Sequence, residues 1–342
     1  MKKFIGILVG LILSANLQIF ASNIEVLPTM YSRTNAQDRI WVATFQLVWN
    51  DFMDKVVFNP VRFREGTPTS VNELNKKSFK ADDISEKNYY KYVGKVRKNT
   101  TRQISKALRK KFKESSDLLD KLDLTPRSDM YLVYAMLKKD FEFVREFDKL
   151  GRSIFGEEDI VDFFGIDSNS EKILRQGVEI LFYNGNNDYA VKLITNDVDE
   201  VILYKNSSNK PFNFIYLDLL KKQNAYKGKK NLSNVDELKI PNIKLNEEKV
   251  FEELTNKRIM GTNIVINQAM ESIKFDMNNK GVKIKSEGAL VAEVTSLLPP
   301  EEIRPRLFYF DDTFVLFIKE KNKKQPYFAL RVNDIKKFQP QK

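Results

Sequence analysis

Charged and uncharged residues alternate along the segment KGVKIKSEGALVAEVTS, which spans residues 280–296. Lys283, Lys285, Glu287 and Glu293 all stand at odd positions, and the even positions from Val282 to Val294 carry no charge. A period of two is typical of a β-strand with one buried and one solvated face. The segment also contains two glycines and leads to two consecutive prolines, which favours an exposed loop. Two interpretations therefore stay open, a half-buried strand and a loop that has the alternation of a strand.

Apolar residues at helical spacing predict helices elsewhere in the chain. The segments with this spacing are 37–53, the second half of 91–113, and 247–261. In the second segment Ile104, Leu108 and Phe112 fall on one face. The third helix is expected to end at Gly261, because glycine is common just past the end of a helix.

Strand patterns dominate after Pro126. A continuous apolar run at 130–137 fits a strand buried on both faces. Two β-rich runs flank Asn-Gly-Asn-Asn within 178–195, which predicts a hairpin. Residues 306–318 and 325–333 are predicted to be adjacent buried strands. The aromatic residues of the later strands are interpreted as core packing; they are Phe182, Tyr183, Phe308, Phe310, Phe314 and Phe317.

This order of elements predicts an α+β fold, with a helical N-terminal part followed by large mixed or antiparallel β-sheets. No internal repeat and no long linker rich in Pro, Gly or Ser interrupts the chain. We therefore expect a single domain over 22–342, preceded by a separate leader.

The leader is residues 1–21, MKKFIGILVGLILSANLQIFA. Two lysines precede a short apolar run, which is the pattern of a secretory signal peptide and is too short for a spanning helix. We expect export to an extracellular or periplasmic location and no membrane span later in the chain. The abundance of Lys, Asn and Ile favours a bacterial source.

Composition excludes many kinds of chemistry. The chain has neither cysteine nor histidine, which removes disulfides, thiolate and histidine-assisted nucleophiles, and the common zinc sites. No glycine-rich phosphate loop or EF-hand motif occurs. We expect no catalytic residues, no metal and no cofactor, and therefore no enzyme. A hydrolase that uses a carboxylate pair stays open as a minority interpretation, although Glu157-Glu158 and Glu301-Glu302 stand in loops and are interpreted as solvated acids.

A basic run occupies residues 91–113, within a chain of net charge +11. Such a run predicts binding to a polyanion or an anionic cell-surface polymer, with a solvated basic face as the alternative. The candidate contacts are Arg102, Lys106, Arg109, Lys110, Lys111 and Lys113.

The C-terminal strands resemble the serpin family. FYFDDTFVLFI at 308–318 is similar to the serpin signature, and Asp312 departs from it where a basic residue is usual. The residues that fit are Phe310, Asp311, Thr313 and Phe314. Further segments resemble the final serpin strand, the strand before the hinge, the Tyr-x-Gly hairpin, the central sheet strand and the segment entering the first core helix; they are 327–334, 266–283, 180–194, 130–148 and 56–63.

The resemblance implies a monomer that inhibits an exogenous serine or cysteine protease through a reactive-centre loop at about 282–305. In that mechanism the loop is cut and then inserts as a strand into the main sheet, which fits the alternation of 281–296. Gly281 would be the hinge glycine, with Val282 and Ile284 as the first inward residues. The scissile region would comprise Thr295, Ser296, Leu297 and Leu298.

The residues of the hinge also leave an alternative open. Val282 and Ile284 are bulkier than the small residues of inhibitory hinges, which would slow insertion. The chain would then be a non-inhibitory serpin-like binding or structural protein. Its loop segment would lie permanently in the sheet or act only as a substrate.

Overall fold

The structure is a computed structural model that describes residues 24–126, 130–283 and 305–339. The predicted signal peptide at 1–21 lies outside these residues. The helices are α1 (Ala43–Phe52), α2 (Thr69–Leu74), α3 (Thr100–Phe112) and α4 (Phe212–Ala225). One π-helical turn, Met53–Val57, extends α1, and short 3₁₀ turns occur at Ala81–Asp83, Glu86–Asn88, Lys172–Gly177, Glu252–Leu254 and Ile335–Phe338.

Strands make up most of the remaining regular structure. They are β1 (Glu25–Leu27), β2 (Arg39–Val42), β3 (Tyr89–Lys95), β4 (Tyr131–Leu137), β5 (Asp140–Glu142), β6 (Asp148–Phe155), β7 (Asp159–Ile166), β8 (Val178–Tyr183), β9 (Tyr189–Ile194), β10 (Asp199–Lys205), β11 (Glu237–Pro241), β12 (Ile243–Val250), β13 (Met270–Asn278), β14 (Gly281–Lys283), β15 (Leu307–Tyr309), β16 (Phe314–Glu320) and β17 (Phe328–Val332). Within the described ranges no helix is long and apolar enough to span a bilayer.

The largest sheet forms the centre of the core. Its strand order is β1-β2-β17-β16-β10-β9-β8, with β1 and β2 parallel and the other neighbours antiparallel. The predicted hairpin is confirmed as β8 and β9, and the prediction that the last two strands are neighbours is confirmed for β16 and β17. These strands are apolar on both faces, and β17 is buried throughout, because elements pack on both sides of the sheet.

A second sheet has the order β15-β11-β7-β6. It contains β15, so the prediction of one continuous strand over 306–318 is wrong. The chain turns at Asp311–Thr313 and passes from this sheet into the largest one. Two neighbouring aspartates interrupt the apolar run there, and Asp and Thr side chains favour a turn over a ladder.

A third sheet has the order β12-β13-β14-β5, and a separate pair is formed by β3 and β4. The two pieces are joined by the chain itself, because β5 follows β4 after only Lys138 and Lys139. The candidate site lies where the third sheet meets the β3–β4 pair.

Two local predictions are wrong. Residues 247–261 do not form a helix, because β12 runs to Val250 as the antiparallel partner of β13 and only a 3₁₀ turn follows. The alternation of buried Ile243 and Leu245 with exposed neighbours satisfies the sheet, and tertiary pairing overrides the helical tendency of Glu and Lys. The segment 56–63 follows α1 rather than entering a helix; β2 is the strand that leads directly into α1.

A smaller hydrophobic cluster lies beneath α3, apart from the main core. Ile104, Leu108 and Phe112 are all buried on one face of α3, as predicted. The helix ends where Lys113 adopts a left-handed conformation with φ 59°. The cluster is completed by Val96, Leu119, Leu132 and Tyr134, so α3, β3 and β4 pack as one unit, called here the small unit.

Candidate functional site: an open strand position

The alternating segment begins inside a sheet. Gly281, Val282 and Lys283 pair antiparallel with β13 on one side and with β5 on the other. Val282 faces the core between Met277 and Phe141 and is fully buried. The described part of the segment is therefore a strand between two strands. Ile284 and the predicted scissile residues Thr295, Ser296, Leu297 and Leu298 lie outside the described residues.

Gly281 is placed where no other residue fits. A Cβ atom at this position would lie 2.4 Å from the carbonyl oxygen of Phe141 and 2.7 Å from the Cα of Glu142. Both are backbone atoms of β5, so no side-chain movement would relieve the contact. A glycine is needed because the backbone of β14 enters the sheet so close to its neighbour.

Beyond β14 the structure describes no strand between β4 and β13. In the described chain β13 pairs only with β12 along Met270–Phe275, and β4 pairs only with β3. Between them lies a cavity of about 810 Å³. We call this gap between β4 and Met270–Phe275 the slot. Since β5 continues the path of β4, the slot lies in line with β14.

Helix α1 forms the inner side of the slot. Thr44, Phe45, Val48, Trp49 and Phe52 line the cavity. The helix is fixed by buried side-chain hydrogen bonds that run to α2 and its C-terminal end. One joins the Gln46 amide to the carbonyl oxygen of Leu74 at 2.8 Å, and another joins the indole N–H of Trp49 to Asn75 at 3.0 Å.

Residues 114–124, called here the strap, cross the slot on the outer face. The Lys274 ammonium lies 2.7 Å from Asp117, and Lys121 forms an ion pair with Glu248 of β12. On the other wall the Tyr134 hydroxyl donates to Ser116 at 3.1 Å. Side chains alternate along a strand, so Lys274 points away from the α1 face. The strap therefore connects the two walls of the slot without contributing a strand.

Glu271 is the unusual residue on the inner wall. It is 3% exposed, and neither carboxylate oxygen has a hydrogen-bond partner within the described residues. Burial raises the pKa of this carboxyl to about 8, and the nearby backbone N–H of Phe45 opposes the shift. A buried carboxyl without a partner is expensive in its charged form, so it is mostly protonated at pH 7.

A buried ionic network lies at the end of the slot next to β14. The Lys139 ammonium lies 2.7 Å from Asp199 and 2.6 Å from Glu320, and both carboxylates are almost fully buried. The Tyr327 hydroxyl donates to Asp199 at 2.9 Å, and Ser85 donates to Glu320 at 2.6 Å. Burial raises the pKa of Asp199; it also acts to raise that of Glu320, but hydrogen bonds from Lys139 and Ser85 lower the pKa there overall. The network ties the β4–β5 junction to the largest sheet.

The predicted polyanion contacts lie on the small unit. Arg102, Lys106, Arg109 and Lys110 are exposed on α3, opposite its buried face. Lys111 donates to the carbonyl oxygen of Glu86 at 2.7 Å. Lys113 is exposed just past the end of the helix. The structure thus places these cations on one helix and on its C-terminal end.

The predicted aromatic residues pack in the core. Phe182, Phe308, Phe310, Phe314 and Phe317 are fully buried. Tyr183 is half-buried and contacts the ring of Phe308 with centroids 5.2 Å apart. No group of three or more Asp or Glu side chains arranged to hold a metal occurs in the described part of the chain.

Reasoning from the sequence missed Glu271 and Lys139. Glu271 has the same parity as the inward residues Ile273, Phe275 and Met277, so the alternation of β13 was a signal that a carboxyl faces the core. Lys139 follows an apolar strand, but its partners lie 60 and 181 residues further along the chain, and local patterns carry no information about them.

Solved serpins are similar to this chain. Serpin48, a highly specific serpin of the insect Tenebrio molitor, is 13% identical with a TM-score of 0.47, covering 89% of this chain and 94% of that one. SRPN18 from Anopheles gambiae is 7% identical with a TM-score of 0.49, covering 90% and 94%. Thyroxine-binding globulin in complex with thyroxine is 14% identical with a TM-score of 0.41, covering 68% and 63%.

Neither the scan against protein-family models nor the search of curated proteins returns a match. The α+β class with large mixed and antiparallel sheets is confirmed by the sheets themselves, and the serpin-like resemblance of the sequence agrees with the structures found. Each TM-score is below 0.5, so what this chain does has to be inferred from its own residues.

Proposed function

We propose that this chain is an exported, serpin-like protease inhibitor whose segment after Lys283 enters the slot as a strand once the loop has been cut. The observation that supports the proposal is β14, which already occupies the strand position at the entrance to the slot. The target would be an exogenous serine or cysteine protease, trapped through a bond in the region 295–298.

The register of β14 determines which residues would become neighbours if the segment inserted into the slot. Val282 pairs with Met277 and with Phe141. Continued in the same register, the even positions would face α1. Gly288 would then come between Glu271 and Ala135, so the smallest residue of the segment would meet the buried carboxyl.

Insertion would be favourable for the inward apolar residues. Each buried Val, Ile or Leu side chain contributes about 1.5–3 kcal/mol, and the backbone would gain partners on both β4 and β13. The charged odd positions would point to the outer face, towards the strap. The segment thus has the composition needed in both states, solvated before cleavage and half-buried afterwards.

The test uses the mature chain with chymotrypsin-like and elastase-like proteases and a papain-like cysteine protease. We expect a complex that survives denaturing electrophoresis, cleavage between 295 and 298 by mass spectrometry, and a higher melting temperature after cleavage. Ile284→Arg would put a charge on the inward face, which costs several kcal/mol, and is expected to abolish the complex but not the cleavage.

Lys285→Arg is the matched control, because position 285 faces outward in the same register; it should trap protease as the unaltered chain does. Cleavage without a complex or a gain in melting temperature would show a non-inhibitory relative that acts only as a substrate. Resistance to all of these proteases would favour a segment that lies permanently in the sheet. Either result would overturn the inhibitor proposal.

We also propose that the exposed face of α3 binds a polyanion or an anionic cell-surface polymer. The support is the shared orientation of Arg102, Lys106, Arg109 and Lys110, which face solvent together. Binding of this kind weakens steeply with salt because it releases counterions. Affinity that is insensitive to salt would leave only a solvated basic face.

A further inference from the structure

The slot combines two features, a largely apolar cavity and a buried carboxyl whose oxygens have no hydrogen-bond partner in the described residues. Buried polar groups are almost always hydrogen-bonded. Within the described chain Glu271 forms no ion pair, and neither carboxylate oxygen has a partner at full hydrogen-bond geometry. Burial is the largest influence on its ionisation, and the backbone N–H of Phe45 is the group that opposes it. Its carboxyl therefore retains unused acceptor capacity on the wall of the cavity.

The cavity has the size and lining of a small-molecule site. Its volume of about 810 Å³ is within the range of roughly 300–1,000 Å³ that is usual for such pockets. Most of the lining is apolar or aromatic, with Phe45, Trp49, Val133, Ile264 and Ile266 among the residues that face it. Other polar residues line the cavity as well, among them Asp117 and Asn267. Asp117 is already paired with Lys274, so Glu271 is the lining carboxyl that has no ionic partner in the described residues.

We propose that the slot of the uncleaved chain binds a small apolar molecule carrying a protonated amine, which pairs with the Glu271 carboxylate while its apolar body packs against α1. A carboxylate only accepts hydrogen bonds, and an ammonium only donates them. A neutral ligand would give the carboxylate no ionic partner, and an anion would oppose the ionisation of the carboxyl.

The chemistry of this pairing predicts a proton release. Glu271 is mostly protonated at pH 7 because its pKa is about 8, whereas an aliphatic amine in water is protonated. When the ammonium binds, the nearby positive charge lowers the pKa of the carboxyl, and Glu271 loses its proton to solvent. One carboxyl O–H bond breaks, one ion pair forms, and up to one proton leaves for each molecule bound.

The experiment uses 2-(naphthalen-2-yl)ethylamine as the probe and 2-(naphthalen-2-yl)ethanol as its neutral counterpart. Both are titrated calorimetrically into the uncleaved mature chain at pH 7, in phosphate and in Tris, whose ionisation enthalpies differ. We expect the amine to bind at least tenfold more tightly than the alcohol, with release of close to one proton and quenching of Trp49 fluorescence. Glu271→Gln keeps the shape of the side chain and should abolish both the preference and the proton release.

Equal affinity for the two probes, or a proton release that Glu271→Gln leaves unchanged, would overturn the proposal, as would the absence of binding at millimolar probe. Trp49→Phe identifies the reporter, since Trp41, the other tryptophan of the chain, does not line the cavity. The binding measurement does not depend on the proposed inhibitory function. A second measurement does: bound amine should slow formation of the protease complex. Binding without such slowing would keep the amine site and show that insertion does not pass through the slot.

Discussion

Replacing Glu271 by glutamine should change how stability depends on pH. In the folded chain the pKa of Glu271 is about 8, against an ordinary value of 4.5. Between these two pH values the unfolded chain has lost the proton and the folded chain keeps it, so folding takes up a proton. The free energy of unfolding therefore falls as pH rises, by a little over 1 kcal/mol for each pH unit and by roughly 5 kcal/mol in all.

Glutamine cannot ionise, and its amide resembles the neutral carboxyl in size and shape. Glu271→Gln should therefore have nearly the stability of the unaltered chain at pH 5. It should exceed it by roughly 3–5 kcal/mol at pH 8, and the difference should not grow further above that pH. The glutamine variant is the more stable of the two chains at high pH, because the raised pKa of Glu271 in the folded state destabilises the unaltered chain there.

The assay is urea denaturation of both chains at pH 5, 6, 7, 8 and 9, followed by circular dichroism. Glu253→Gln is the matched control, since Glu253 is exposed, and its effect should stay within about 0.5 kcal/mol at every pH. A Glu271→Gln effect of the same size at pH 5 and pH 8 would show that the carboxyl is not held protonated in the folded chain, and the reasoning would fail.

Four further results are expected. Gly281→Ala should expel β14, because its Cβ would lie 2.4 Å from the Phe141 carbonyl oxygen; limited proteolysis should then cut near residues 281–285, whereas Gly177→Ala, whose Cβ would meet only side chains at 3.6 Å or more, should not cause such cleavage. Lys139→Met should lower stability by about 3–5 kcal/mol by leaving Asp199 and Glu320 buried without their cation, and a second change, Glu320→Gln, should restore part of that loss; equal melting temperatures for Lys139→Met and the unaltered chain would contradict this. Reversing the charge of Arg109 and Lys110 to Glu should weaken binding to heparin and flatten its salt dependence by about two counterions, while reversal of the exposed Lys221 and Lys227 serves as control. Removing the ion pairs of the strap with Asp117→Asn and Lys121→Gln should cost at most about 1 kcal/mol each but speed the gain in melting temperature after cleavage; an unchanged rate would show that the strap does not restrain the slot.

Local sequence patterns correctly predicted the elements whose structure depends mainly on residues close together in the chain. In α3 the spacing of Ile104, Leu108 and Phe112 defines a buried face, and the Asn-Gly turn joins β8 to β9. Local patterns predicted the wrong element where pairing between strands that are distant in the sequence determines the structure. The Glu- and Lys-rich residues of β12 form a strand because β13 lies beside them, which no local pattern reports.

The candidate site, too, could be predicted from the sequence only in part. The alternation of 281–296 left a strand and a loop as alternatives; the described Gly281–Lys283 form a strand, and the remaining residues lie outside the described part of the chain. The slot itself depends on β4 and β13, which are separated by more than 130 residues, and on a strap whose ion pairs span similar distances. Its existence follows from how the sheets are assembled, so it could not be predicted from the sequence.

The two walls of the slot belong to different hydrophobic clusters, since β4 carries Leu132 and Tyr134 of the small unit and β13 carries Ile273 and Phe275 of the main core. Segments with separate cores open and exchange their amide hydrogens as separate cooperative units. The small unit should therefore exchange its amide hydrogens faster than the largest sheet and lose its protection first in mild denaturant. A rigid shift of the three elements of the small unit would widen the slot and would break only the contacts between the units, such as those of Tyr89 and Leu137 with the main core.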